Sequence, residues 1–152
     1  MTHSDSTTPL FEPLVREFLA LGGHTAPLEG DCAGFEIETP TALVRIAPRL
    51  GDSAMIEIPV SNLPEPDASM LHLLHRLNNA SLLQHDWIAS LDDDDQVVLT
   101  AVFQLGQTDA IQLEALVADG LERALSLRDL FQPPSPDAIA EPEVDLHPAL
   151  RA

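Results

Sequence analysis

The sequence predicts an α+β fold, ordered helix, three strands, helix, two strands, helix, with a twisted antiparallel sheet packed against the helices. Three observations carry that prediction. Segments with apolar residues at helical spacing flank segments that alternate apolar and polar residues at period two. The links between the first three alternating segments are shorter than the dozen or so residues a parallel crossover needs. The last alternating segment, VVLTAVFQL, follows four consecutive aspartates, Asp92 to Asp95, that read as the tip of a hairpin.

Residues Pro9 to Leu21 read as the first helix, with Pro13 in its first turn, where a missing N–H is harmless. Leu14, Phe18 and Leu21 make one stripe; Phe11, Val15 and Leu19 make another that overlaps it. Gly22-Gly23 is the expected stop. Three strands follow. Ala33 to Thr39 sets Phe35 and Ile37 against Glu36 and Glu38; Thr41 to Ala47 sets Val44 and Ile46 against Leu43 and Arg45. Ala54 to Val60 sets Ala54, Ile56, Ile58 and Val60 against Met55 and Glu57. Short links make these a meander, and Pro40 and Pro59 mark strand ends or an edge.

Leu63-Pro64-Glu65-Pro66 breaks the chain, and Asp67 is the natural N-cap of a second helix from Ala68 to about Leu83. Met70, Leu73, Leu77 and Ala80 form one stripe; Leu71, Leu74 and Leu82 form a second. A second stripe needs another neighbour, which is either a copy of the chain or the last helix. The remaining strands are His85 to Leu91 and Gln96 to Leu105. The latter is apolar on both faces and is expected to be central and covered on both sides. Thr108 and Asp109 cap a last helix that runs to about Phe131, its core face carried by Leu113, Leu116, Val117, Leu121, Ala124 and Leu125. One domain therefore spans residues 9–131, between a polar start (residues 1–8) and an acidic, Pro-rich tail (residues 132–152), both expected to be disordered.

Composition narrows the chemistry. Across 152 residues the net charge is −18, and all seven basic residues are arginine. Such a surface repels phosphate backbones and anionic lipid, so neither a nucleic acid nor a membrane is an expected partner. A single cysteine, Cys32, excludes an internal disulfide framework and agrees with a reducing compartment. The tetra-aspartate tip lacks the spacing, glycine and closing glutamate of a calcium loop. His72 and His75 are three apart on the second helix but have no third ligand at a known spacing; whether His85 joins them is open. No phosphate loop, GxSxG or zinc pattern occurs. The expectation is a binding protein: no catalytic residue, no metal, no cofactor.

The element order, size, low pI and lysine-free acidic surface resemble the class I type III secretion chaperones, the Tir-chaperone (CesT-like) family. The segment LHRLNNASLLQHDWIASLDDDDQVVLTAVFQL, Leu74 to Leu105, carries most of the likeness: a helix ending in small and polar residues, a strand, an acidic turn and a long apolar strand. The resemblance covers about Pro9 to Phe131, and the tail falls outside it. It implies a cytoplasmic bacterial homodimer, active in virulence, that holds the extended N-terminal segment of an effector and delivers it to the secretion apparatus. The secretion ATPase is then a further candidate partner. It also implies roles. Leu14, Val15, Phe18, Phe35, Ile37, Val44 and Ile46 would bind cargo, and Met70, Leu73, Leu74, Leu77 and Trp87 would form the dimer interface. Periodicity leaves open which of these face a partner and which face the core. A regulatory adaptor of the YbjN type, which has a related fold and would bind a folded partner, is the alternative.

Overall fold

The computed structural model describes residues 9–22, 34–60, 63–79 and 87–132. Cys32, His85, residues 1–8 and all of the tail but Gln132 lie outside them. Within them the elements are α1 (Phe11–Leu21), β1 (Phe35–Glu38), β2 (Leu43–Pro48), β3 (Ser53–Pro59), α2 (Ala68–Asn79), β4 (Ile88–Leu91), β5 (Val97–Gln104) and α3 (Ala110–Phe131), with one 3-10 turn at Leu105–Gln107. The predicted order holds.

All strand pairs are antiparallel, in the sheet order β1-β2-β3-β5-β4. The register aligns residues of like character. Phe35 pairs with Ile46, Ile46 with Ile56 and Ile56 with Ala101, all on the inner face. On the outer face Glu36 pairs with Arg45, Arg45 with Glu57, Glu57 with Thr100 and Thr100 with Ile88. A shift of one residue in any pair would exchange these faces, so burial fixes the register.

Helix α3 packs on the inner face at β3, and α1 packs on α3. The buried residues of α3 are Ala110, Leu113, Val117, Gly120, Ala124 and Leu127, at strict helical spacing. Gly120 is the tight point. A Cβ there would lie 2.4 Å from the Trp87 ring and 2.7 Å from Ile58, so the helix approaches the sheet only because this position has no side chain. Phe11, Leu14, Val15, Phe18 and Leu19 are all buried on α1, so its two overlapping stripes make one wide core face, except at Leu21, which is exposed.

The helix ends agree with the sequence. Asp67 Oδ1 accepts from Met70 N–H at 2.8 Å, and Asp109 and Gln112 form a reciprocal capping box at the start of α3. Helix α1 stops at the expected glycines, with Gly22 as its C-cap at φ −80°; Gly23 lies outside the described residues. The four aspartates serve local geometry. Asp92 Oδ1 accepts from the N–H groups of Asp94 and Gln96 at 2.9 and 2.8 Å, and Asp95 adopts φ +58°.

One expectation is corrected. β5 is central in having β3 and β4 as neighbours, but it is not covered on both sides. Its inner face is buried, whereas Val102 on the outer face is exposed and Thr100 half-exposed. Helix α3 packs on β3 through its buried face, whereas Val102 on the outer face of β5 is exposed among the described residues.

Candidate functional site

Helix α1 and strand β1 meet through aromatic side chains. The Phe35 ring lies between Phe11 and Phe18, with centroids 6.3 and 6.4 Å apart in tilted geometry. The structure brings all of Leu14, Val15, Phe18, Phe35, Ile37, Val44 and Ile46 into one cluster, as sequence reasoning grouped them. It also separates them. Leu14, Val15, Phe18, Val44 and Ile46 are buried within the chain itself and form the floor of the cluster. Phe35 and Ile37, on a strand with one open flank, are the two that keep accessible surface.

Of the apolar residues that do reach solvent beside this cluster, Leu21 belongs to a stripe read from the sequence, and none was named there as a site residue. Leu10, Leu21 and Ile111 are exposed. Leu21 and Ile111 wall a groove of about 470 Å³ between the end of α1 and the start of α3, floored by Ala20 and Ala110 and rimmed by Glu17 and Asp109. No helical stripe includes Leu10 or Ile111, and Leu21, although in the first stripe of α1, lies at the helix end, where the stripe has already turned away from the core.

The residues expected at a dimer interface are divided in the same way. Met70, Leu74, Leu77 and Trp87 belong to the core, and Leu73 is half-buried against it. Trp87 is fully enclosed. Its Nε1–H donates to Asp119 Oδ2 at 3.1 Å, and the same oxygen accepts from Arg123 Nε at 2.9 Å. Exposed apolar surface lies instead on Leu71 of α2, Ile88 of β4 and Val102 of β5, which are 49%, 56% and 39% exposed. Helix α2 packs beside β4, where Asn78 holds the backbone of Ala89.

The outer face also carries the main ionic feature. Arg45 donates to Glu36 from Nε and Nη2 at 2.9 and 2.7 Å, and Glu57 lies 3.7 Å away on the other side. The hydrogen bonds that Arg45 donates to Glu36, then the Glu36 charge, raise the Arg45 pKa above an already high value. The guanidinium of Arg45 is therefore always charged. His72 and His75 are exposed, and no cluster of three or more metal-ligating side chains occurs among the described residues. No described helix is long and apolar enough to cross a membrane.

Comparison with known proteins gives this arrangement a family. The Tir chaperone protein (CesT) family model matches residues 14–128, and the chain belongs to that family. Solved structures of the same fold include a chain of the ExsC–ExsE complex, at a TM-score of 0.70 and 17% identity over 81% of this chain and 94% of that one. A chain from the complex of the Yersinia pestis type III secretion chaperone SycH with a stable fragment of YscM2 aligns at 0.63 and 19%, covering 76% and 97%. The ExoU–SpcU complex from the type III secretion system of Pseudomonas aeruginosa aligns at 0.59 and 22%, covering 76% and 96%. No curated protein matches the chain in sequence.

Proposed function

We propose that this protein is a chaperone of type III secretion that holds the N-terminal segment of an effector in an extended, export-competent state in the bacterial cytoplasm. Membership of the Tir chaperone family is the observation that carries the reading. The geometry suits it. β1 is an edge strand only four residues long, with half-buried Phe35 and Ile37 on one face and a floor of core side chains from α1 and β2 beneath them. An extended segment can add backbone hydrogen bonds at that edge and set alternate apolar side chains against Phe35 and Ile37, then reach the Leu21–Ile111 groove. The net charge of −18 keeps such a surface soluble and steers basic segments toward it. The chaperone itself needs no catalytic step, and delivery to the secretion ATPase is part of the same proposal.

The working unit is a homodimer. Leu71, Ile88 and Val102 are its contact residues, in place of the core residues Met70, Leu74, Leu77 and Trp87 and of Leu73, which is half-buried against the core. A copy of the chain would supply the cover that β5 lacks on its outer face.

Capture of the tagged protein from its native cell, followed by protease trimming and mass spectrometry, tests the function. A protected stretch of several tens of residues near a partner's N-terminus is the expected result. A folded partner recovered whole, with no protected stretch, overturns it in favour of a regulatory adaptor. Glu38→Pro, at an exposed position on β1, removes a backbone donor from the open edge. It is expected to weaken capture of the segment while thermal unfolding stays unchanged.

A further inference from the structure

The sheet ends in two edges, and the chain treats them differently. At the first, Thr39 N–H donates to Ala42 C=O at 3.1 Å, which sets the alternation of the β1–β2 ladder. Counting back through the register, Ile37 and Phe35 direct their backbone groups toward β2, and Glu36 and Glu38 direct theirs away from the sheet. Among the described residues nothing pairs with that outward row.

At the second edge, Asp92 N–H donates to Gln96 C=O at 2.9 Å, and the same count sends the backbone groups of Ser90 and Ile88 toward β5. Those of Leu91 and Ala89 point outward. The outward pair of Ala89 is occupied. Asn78 Nδ2–H donates to Ala89 C=O at 2.7 Å, and Asn78 Oδ1 accepts from Ala89 N–H at 3.0 Å. A carboxamide has the donor and acceptor of one peptide unit, so this side chain stands where a residue of a further strand would stand. Leu91, the last residue of β4, is left as a single outward pair beside the hairpin tip, and one pair does not make a ladder.

We propose that Asn78 closes the β4 edge against strand addition, so that each chain accepts an extended segment at β1 alone. Open edges pair with whatever extended chain they meet, and a protein that keeps one edge open for cargo gains from closing the other. Asparagine suits the task chemically. Aspartate would still accept from Ala89 N–H but would set a charge against its carbonyl; alanine would leave both groups unmatched. The inference rests on the reading that the protein binds by strand addition, but its test uses no effector, so the two can fail separately.

The full-length chain is compared with Asn78→Ala and Asn78→Asp by amide hydrogen exchange at Ala89 and by sedimentation over a wide range of concentration. Both variants are expected to keep the wild-type circular dichroism; in Asn78→Ala the Ala89 amide should exchange roughly tenfold faster or more, and in Asn78→Asp, which can still accept from it, faster by a smaller factor. Asn78→Ala is expected to form species larger than wild type as concentration rises. Leu91→Pro, added to Asn78→Ala, should return the assembly to the wild-type state, because it leaves β4 with a single outward donor, that of Ala89, and one pair does not make a ladder. If Asn78→Ala does not fold, Asn78→Asp is judged by the same readings. A folded variant with wild-type assembly at every concentration, or excess assembly that survives Leu91→Pro, makes Asn78 a simple tether of α2 and overturns the proposal.

Discussion

Strand β5 presents two faces built from similar residues with different fates. Val97, Leu99, Ala101 and Phe103 point inward and are buried by the helices; Val98, Thr100 and Val102 point outward, and burial falls away along the strand toward Val102. The inner face has room for nothing further, since even Gly120 is in contact. The outer face mixes an ionic ladder at Glu36, Arg45 and Glu57 with exposed Ile88 and Val102. Apolar character therefore reports the need for burial without saying whether the chain itself or another chain supplies the cover.

Substitutions can separate the two faces, and the largest effect belongs inside. Leu99→Ala removes a fully buried side chain at the centre of the sheet and should cost about 2–5 kcal/mol in denaturant unfolding. Gly120→Ala is the sharper test. Helix propensity favours alanine by about 1 kcal/mol, so a position free of contacts would gain stability. The closeness of Trp87 and Ile58 predicts the opposite sign, a loss of about 1–3 kcal/mol. A stabilised Gly120→Ala protein would show that α3 can move off the sheet.

Outside, the expected changes are smaller in stability and larger in assembly. Val102→Glu should alter the unfolding free energy of the protomer by no more than about 0.5 kcal/mol, since the side chain is already exposed. Sedimentation should show the proposed homodimer replaced by monomer; a dimer unchanged in strength would remove Val102 from the contact. Smallest of all, Arg45→Ala breaks an exposed ion pair and should cost less than about 1 kcal/mol, with the difference fading as salt is raised.

Elements were legible in the sequence and partners were not. Alternation identified the inward residues of β2 and β3 without error, because a sheet with one sealed face writes period two into its strands. Asp67 and Asp109 were legible as caps for an equally local reason. Gly120 was not, because a glycine breaks the apolar stripe that α3 otherwise follows, although the spacing from Leu113 and Val117 to Ala124 and Leu127 passes through it. The candidate sites were legible as a neighbourhood only. Phe18 and Val44 are as apolar as Phe35 and Ile37, and only the placement of β1 at an edge leaves surface on the latter pair. Asn78 falls between Leu74 and Leu82 of the second α2 stripe, and nothing local marks its role, which depends on Ala89, eleven residues later and across a strand edge.

The enclosure of Trp87 bears on how this protein can be watched. It is the only tryptophan, and the chain has no tyrosine, so ultraviolet-excited emission reports one indole, seated in the notch at Gly120 and tethered through its N–H to Asp119. That indole is a gauge of the contact between sheet and α3, remote from the β1 edge and from the outer face. Its spectrum should shift when the core opens and stay silent when a segment docks at β1, separating loss of fold from loss of cargo in a single cuvette.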